Sequence, residues 1–236
     1  MDTFTGFSPQ TLDFFAGLGA NNNKPWFEAN RAIYEAHVLD PAKRFVAAMG
    51  QVLPSLSPDI QAVPQANGSI FRIHRDTRFS ADKTPYKTAL GIFFWEGTRP
   101  KMECPGYYLH IEPGEVMLGV GLWMFPKEQL AAYRDAVVHP VLGAELVQAV
   151  AAVRAFAGPG SLSAAGCGGT IESYKKVPAG YDPNHPNAEF LKYKGLHAGI
   201  TTEIPPEFTS GAFVDWCLTR YAGMAPLHRW MVKMGG

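Results

Sequence analysis

Apolar residues recur at helical spacing over the first part of the chain. The dipeptide Ser8-Pro9 is typical of a helix start, with a capping serine followed by proline in the first turn. The spacing breaks at Asn21–Pro25 and again at Asp40-Pro41, so three successive helices are predicted. Their predicted buried positions are Leu12, Phe15 and Leu18, then Trp26, Phe27, Ile33 and Tyr34, and finally Phe45, Met49, Val52 and Leu53.

The hydrophobic period changes near Ser69. Between Ile70 and Asp76 apolar and polar residues alternate, which predicts a strand with basic side chains on its polar face. A β-hairpin is predicted around the turn Pro113-Gly114-Glu115. The other predicted strands and the hairpin strands are Ala89–Trp95, Tyr107–Glu112, Val116–Trp123, a short strand near Thr170, and Gly195–Ile204.

The end of the chain returns to helical spacing. Helices are predicted at Pro126–Val137, Val141–Phe156 and Ser210–Lys233, the last interrupted at Pro226. Helices, then strands, then helices predict an α+β fold, an antiparallel sheet covered by helices with N-terminal and C-terminal helical segments. The length fits a single domain over 1–236: a mainly helical lead (1–66), a sheet core (67–125), and helices with one or two further strands (126–236).

Composition limits the class of partner. The 21 Lys and Arg residues equal the 21 Asp and Glu residues, whereas a protein that coats duplex nucleic acid or an anionic membrane usually has a cationic excess. Three cysteines without a CxxC pair argue against a disulfide framework and a cysteine-rich zinc site. No signal-peptide pattern is present, and the apolar stretch Val137–Phe156 contains charged residues, so we expect a cytoplasmic protein that does not enter a membrane.

The segment Arg72–Lys87, called here the cationic segment, carries a net charge of +3 inside a neutral chain. Arginine binds two oxygens of a phosphate or carboxylate with its planar fork, and lysine supplies a point charge. We therefore expect this segment to bind an anion, with Tyr86 orienting it and the two aspartates acting as base or holding the arginines. The cationic side chains are Arg72, Arg75, Arg78, Lys83 and Lys87, and the candidate catalytic residues are Asp76, Asp82 and Tyr86.

Two other interpretations of the cationic segment stay open. Arginine and aspartate near a strand end also form structural ion-pair networks, in which case the protein is a non-catalytic structural or interaction protein. Basic residues with exposed aromatic side chains also suit a module that binds single-stranded nucleic acid, although the zero net charge disfavours nucleic acid. The leading expectation is a site that binds or processes a phosphorylated or carboxylated small molecule. The sequence predicts neither catalysis nor an oligomeric state.

The cationic segment resembles the central motif of domain-of-unknown-function family 2461, a family of bacterial and fungal proteins. That motif, Arg-Ile-x-Arg-Asp-x-Arg-Phe-x-x-Asp-Lys-x-Pro-Tyr-Lys, matches at every specified position. Asn21–Phe27, Gly106–Pro113 and Lys175–Leu191 resemble three further family elements, so the resemblance covers nearly the whole chain. Gly119-Val120-Gly121 departs from the family, which tends to have consecutive glycines there. The resemblance implies no particular activity.

Two further groups of residues carry possible chemistry. His110 and Glu112 share a strand face and could bind a divalent metal with His74 and Asp76 if their strands were neighbours, but no compact ligand motif is present. We therefore assign no metal and no cofactor. Cys167, in a glycine-rich loop, is interpreted as a loop residue rather than a nucleophile.

A second cationic cluster lies later in the chain. It contains Lys175, Lys176, His185, Lys192 and Lys194. This cluster either folds against the cationic segment and completes the anion site, or it is a solvated surface. We include Lys176 among the expected ligand-binding residues.

Overall fold

Helices precede an antiparallel sheet, and helices follow it. The computed structural model describes residues 3–158 and 173–235. The first elements are α1 (Pro9–Ala20), α2 (Lys24–Ala29), α3 (Arg31–Tyr34), a π-helical turn (Glu35–Leu39), α4 (Asp40–Val52) and a 3-10 turn (Leu53–Ser55). The strands and their connection are β1 (Ile60–Gln61), β2 (Leu90–Glu96), a 3-10 turn (Lys101–Glu103), β3 (Gly106–Glu112) and β4 (Glu115–Leu122). The remaining elements are α5 (Lys127–Val138), α6 (Pro140–Ala157), α7 (Ala188–Leu191), β5 (Leu196–Glu203), a 3-10 turn (Pro206–Thr209) and α8 (Phe213–Gly235).

The five strands pair in chain order, each antiparallel to the next. Ile92, Leu109, Leu118 and Ile200 lie opposite one another across β2 to β5 and belong to one side of the sheet. This side packs into a core formed with side chains from α4, α6 and α8, among them Phe45, Val150 and Tyr221. The predicted α+β fold, an antiparallel sheet covered by helices, is therefore confirmed.

Local sequence signals explain the N-terminal helices. The Asn23 side chain caps α2 by accepting a hydrogen bond from the backbone N–H of Trp26 at 3.0 Å. In α4 the buried residues Phe45, Val46 and Met49 occupy one face, as the spacing predicts. α1 buries Phe14, Phe15 and Leu18 in the same way.

The predicted strand Ile70–Asp76 is wrong. Only isolated bridges join Ile70 to Ile92 and His74 to Tyr86. The alternation itself is present, because Ile73 is buried while its neighbours Arg72 and His74 are exposed. The backbone N–H and C=O of Tyr86, which a neighbouring strand would use, bind the Asn22 side chain instead, so no regular sheet pairing extends there.

Two other details differ from the sequence prediction. Pro226 lies inside α8 without ending it, because buried residues on both sides, including Met224 and Leu227, hold the helix against the core. The short strand β1 pairs with the end of β2 and has no clear sequence signal. The short strand predicted near Thr170 lies outside the described residues.

Helix α6 is long and apolar enough, by length and composition alone, to cross a membrane. In the fold it buries Leu146, Val150 and Val153 in the core. It also contacts α8, since the indole N–H of Trp230 donates to the Leu142 carbonyl at 2.8 Å. One face of α6 therefore packs against the core.

Candidate functional site

A cleft of about 720 Å³ lies over the second side of the sheet. Its lining comes from β2, β3, β4 and β5, from the end of α1 and from the cationic segment. The cleft is thus the place where the most unusual sequence segment meets the sheet. Its volume lies in the range of small-molecule sites.

Glycines at Gly91, Gly106, Gly119 and Gly121 line the cleft on β2, β3 and β4, and we call them the glycine floor. Side chains alternate between the two sides of a strand, so a larger residue at these positions would project from the cleft side. Gly121 has a second reason to be glycine, because its φ is +135° and an added Cβ would lie 2.3 Å from the Leu196 carbonyl oxygen. At Gly91 the missing side chain leaves room for the Tyr108 hydroxyl, and at Gly106 and Gly121 it lets the neighbouring backbone approach closely.

Aromatic side chains surround the glycine floor. Phe71 packs edge-on against Tyr108, with ring centroids 6.0 Å apart. Trp123 is half exposed and stacks on His197 at 4.8 Å. The Nε2 atom of His197 is buried without a hydrogen-bond partner among the described residues, and burial lowers the pKa of His197 to about 4.

Tyr108, His110 and Glu112 form a line of polar groups on the cleft side of β3. The Tyr108 hydroxyl lies 3.1 Å from His110 Nδ1, and His110 Nε2 lies 3.5 Å from a Glu112 carboxylate oxygen. At the hairpin turn Glu115 shares a hydrogen bond with Glu112, which raises the pKa of Glu115. The cleft side of β3 therefore holds an imidazole between a phenol and a carboxylate.

Two lysines lie over the Phe71 ring, and the charge of Arg72 acts on one of them. The ammonium of Lys87 lies 5.1 Å from the centre of the Phe71 ring, and that of Lys101 lies 4.6 Å from it. Burial lowers the pKa of Lys87, with a further contribution from the positive charge of Arg72. Burial, and then the charge of Lys87, lowers the pKa of Lys101 in the same way.

These three cations differ in their hydrogen bonds. Lys101 donates to the Gly68 carbonyl at 2.6 Å. Neither Lys87 nor Arg72 forms an ion pair or hydrogen bond with a side chain of the described residues. Of the two, Lys87 lines the cleft. Its charge is therefore half-buried in the cleft wall without a carboxylate beside it.

The other cations of the segment have partners within the segment. Arg75 binds the Asp82 carboxylate and the Thr84 hydroxyl, and Arg78 binds Asp76 through two nitrogens at 3.0 and 2.7 Å. The Lys83 ammonium donates to the Thr77 carbonyl at 2.8 Å. These contacts join residues 75–84 into a loop that its own charges stabilise.

The pKa values of both aspartates reflect this pairing. The pKa of Asp76 falls to about 2, mainly because its carboxylate accepts hydrogen bonds from the Arg78 side chain. The pKa of Asp82 falls to about 2 because it accepts from the backbone N–H of Thr84, with Arg75 second. Carboxylates held in the ionised form in this way are poor candidates for a base near neutral pH.

Tyr86 fixes the end of the cationic segment. Its ring is buried and stacks on Phe27 at 4.4 Å, and the Asn22 amide bonds both its backbone N–H and its C=O, at 3.0 and 2.9 Å. The N-terminal Asn-Asn…Trp-Phe element thus holds the Pro-Tyr-Lys end in place. Lys87, which follows directly, is positioned by these contacts.

The expected site residues fall into three groups. Arg75, Asp82, Tyr86 and Lys87 line the cleft together. Arg72, Asp76, Arg78 and Lys83 do not line it. Lys176 lies in a second pocket with Lys175, Tyr181 and Lys192, and none of these residues lines the cleft.

Sequence reasoning did not identify Lys101, His197 or the glycine floor. Lys101 lies in a 3-10 turn without an alternating pattern that would place its side chain. In β4, Gly119 and Gly121 alternate with the larger residues Val120 and Leu122, and that alternation is the signal that could have revealed a side of the sheet without side chains.

The described residues contain no group of three or more His, Cys, Asp or Glu side chains suited to a metal ion. The proposed sharing of a sheet face by His74 and His110 is wrong, because β2 lies between them: Gly91 pairs with His110, while His74 contacts the Phe27 and Tyr86 rings. Cys167 lies outside the described residues.

Comparison with known proteins supports the resemblance carried by the cationic segment. A search of curated proteins found no match to the chain. The family model described as "Conserved hypothetical protein (DUF2461)" matches residues 10–230, and the chain therefore belongs to that family.

Proposed function

We propose that the cleft binds a small organic molecule that carries a phosphate or carboxylate group, and that Lys87 binds this anionic group. The observation that carries the proposal is the half-buried ammonium of Lys87, which lines the cleft without a carboxylate partner among the described residues. Burying a cation without a counter-charge is unfavourable. A bound anion would remove this cost, because it would supply both charge and hydrogen-bond acceptors.

The surroundings of Lys87 favour an anion over a neutral ligand. Arg72 and Lys101 add positive potential at Phe71, on the same side of the molecule. The carboxylates of the segment are already bound to Arg75 and Arg78. The positive charge at this end of the cleft is therefore not cancelled within the segment.

The rest of the cleft suits the organic part of a ligand. Phe71, Phe93, Tyr108 and Trp123 are aromatic, and the buried glycines between them add no side chains to the lining. Such a surface favours a flat group, since rings stack on aromatic side chains. The ligand we propose is a ring-bearing phosphate or carboxylate.

The other two interpretations remain as proposals with narrower support. Phe79 is 95% exposed beside Arg78 at the tip of the loop, which suits stacking against a base of single-stranded nucleic acid. The Arg75–Asp82 and Arg78–Asp76 pairs support a structural role for the loop. Neither interpretation accounts for the Lys87 ammonium in the cleft.

A reducing, cytoplasmic setting is part of the proposal. Cys104 and Cys217 are buried free thiols in the described residues. Burial raises the pKa of both thiols, which keeps them protonated and unreactive.

The proposal is tested by thermal unfolding with phenyl phosphate, against sodium chloride at matched ionic strength. A ligand that binds only the folded protein raises Tm, so wild type should gain stability from phenyl phosphate beyond the chloride control. Lys87→Met should abolish that gain. Lys83→Met, which removes an equal charge from the same segment, should keep it.

Two outcomes contradict the proposal. The first is that wild type gains no stability from phenyl phosphate over chloride, and the second is that Lys87→Met and Lys83→Met reduce the gain equally. In the second case the segment acts through its general charge. If Phe79→Ala instead weakens binding of a single-stranded oligonucleotide while phenyl phosphate has no effect, the nucleic-acid interpretation replaces ours.

A further inference from the structure

The line of polar groups on β3 has the geometry of a proton relay. Glu112 faces His110 Nε2 at 3.5 Å, and this favours the tautomer in which Nε2 carries the hydrogen. His110 Nδ1 then has a free lone pair, and it lies 3.1 Å from the Tyr108 hydroxyl. In that tautomer the phenol donates its hydrogen to the imidazole.

The residues that face the His110 imidazole determine which other charges act on it. Across β2 and β4 its partners are Gly91 and Met117, neither of which carries charge. Glu115 is a titratable group on which His110 acts. The charge of His110 lowers the pKa of Glu115, but the hydrogen bond with Glu112 raises it by more. The relay thus consists of one phenol, one imidazole and a carboxylate pair.

The phenol oxygen lies inside the cleft. A Cβ added at Gly91 would lie 2.9 Å from it and 3.1 Å from Phe71, so the absence of a side chain there makes room for the hydroxyl. Phe71, in turn, contacts both the Tyr108 ring and the Lys87 ammonium. An anion bound at Lys87 and the Tyr108 hydroxyl are therefore neighbours across one aromatic ring.

We propose that the cleft is catalytic and that Tyr108 is its general base, with His110 as the proton acceptor behind it and Glu112 as a positioning residue. This rests on the proposed anion site at Lys87. The substrate class is an organic phosphate or carboxylate that carries a second, weakly acidic O–H or N–H group. As the Tyr108 oxygen takes the proton of that group, the phenolic hydrogen passes to His110 Nδ1, and Glu112 stabilises the imidazolium.

The charge balance closes within the cleft. The substrate loses one proton and gains one negative charge, while His110 gains one proton and one positive charge. No oxidant, reductant or metal is required. The negative charge that develops on the substrate lies in the positive potential of Lys87 and Lys101.

The test measures whether the Tyr108 oxygen is activated, with benzenesulfonyl fluoride as the probe. The phenol oxygen forms a bond to sulfur, the S–F bond breaks, fluoride leaves, and the phenolic proton goes to His110. The full-length protein is labelled and then digested, and mass spectrometry of the peptides gives the labelling rate of each tyrosine. Tyr174 is the internal control, because it is 43% exposed and no histidine ring is among its contacts in the described residues.

We expect Tyr108 to react faster than Tyr174 in wild type. His110→Ala should slow Tyr108 by about 100-fold, the usual contribution of a positioned proton acceptor, and leave Tyr174 unchanged. Imidazole added to the buffer should restore part of the rate in His110→Ala, which a purely structural role of His110 would not allow. Glu112→Gln should slow Tyr108 by less than His110→Ala does.

Phenyl phosphate separates the relay from the anion site. It should protect Tyr108 from the probe in wild type, and Lys87→Met should remove the protection, measured within each variant as the ratio of the Tyr108 labelling rates with and without phenyl phosphate. If labelling depends on His110 but phenyl phosphate never protects, the anion site is wrong and the relay stands. If phenyl phosphate protects but His110→Ala labels at the wild-type rate, the relay is overturned and the anion site stands.

Discussion

The two sides of the sheet each hold a histidine–glutamate pair, and the two pairs differ in burial. On the core side His228 of α8 lies 2.7 Å from Glu96 of β2, with side chains 0% and 10% exposed. On the cleft side His110 and Glu112 lie 3.5 Å apart, with side chains 28% and 38% exposed. The same pair of groups thus occupies a dry environment on one side and a solvated one on the other.

The difference shows how the surroundings of a histidine–glutamate pair determine its role. Glu96 is held by His228 and also accepts hydrogen bonds from Ser57 and the Asp59 backbone, so its polar atoms are used within the fold. His110 shares its two nitrogens with Tyr108 and Glu112 on the wall of the cleft. The buried pair is suited to stability, and the cleft pair is suited to proton transfer.

The largest effect should come from removing one member of the buried pair. His228→Leu leaves the Glu96 carboxylate buried without its main partner, so we expect the free energy of unfolding to fall by about 3 kcal/mol. Urea denaturation at neutral pH measures it. A His228→Leu, Glu96→Leu double variant should recover part of the loss, because no charge is then left buried. If the free energy of unfolding of His228→Leu fell by less than about 1 kcal/mol, the buried pair would contribute no more to stability than the cleft pair.

A smaller effect is expected on acid stability. His228 lowers the pKa of Glu96 in the folded protein, so the folded carboxylate binds a proton less readily than the unfolded one. Its contribution is complete above the ordinary glutamate pKa of about 4.3 and is lost as pH falls below that value toward the lowered pKa. In Glu96→Gln, Tm should therefore fall less steeply than in wild type as the pH is lowered, and this is the decline that is compared below.

Glu112→Gln is the matched control for the acid experiment. It removes a carboxylate from the cleft side and with it the main cause of the raised pKa of Glu115, so, unlike Glu96→Gln, it should not flatten the decline. Asp76 and Asp82 contribute in the same direction, but they are exposed and unchanged in every variant, so they cancel from the comparison. Equal slopes of Tm against pH in wild type and Glu96→Gln would contradict the prediction.

The smallest effect should come from the cleft pair. His110→Leu removes a partly exposed imidazole whose contact with Glu112 is screened by water, so the free energy of unfolding should change by less than about 1 kcal/mol. Urea denaturation under the conditions used for His228→Leu gives the comparison directly. A loss as large as that of His228→Leu would make the cleft pair structural and remove the basis of the relay.

Much of the fold could be predicted because its signals are local. The cap at Asn23, the helical spacing of α4 and the turn between β3 and β4 depend on residues close in sequence. The strand predicted at Ile70–Asp76 was wrong for the opposite reason. Its alternation describes burial correctly, but the decisive contact comes from Asn22, which is distant in sequence and binds the Tyr86 backbone.

The site could be predicted only in part. The sequence indicated the cationic segment, and Lys87 does line the cleft. It could not show which cations are neutralised, because the pairing of Arg75 with Asp82 depends on how the loop folds back on itself. The glycine floor depends on register between strands, since a glycine in one strand marks open space only when its neighbours across the sheet are also small or turned away.

The strand order of the sheet also has a consequence for the folding pathway. β2, β3 and β4 follow one another through short connections, whereas β5 joins β4 only after α5, α6 and α7. Closing a short loop costs less chain entropy than closing a long one, so the three-stranded part should form before β5 docks. The glycine floor lies entirely on these early strands, while His197 arrives with β5. The cleft should therefore be completed in the last stage of folding, after its floor has formed.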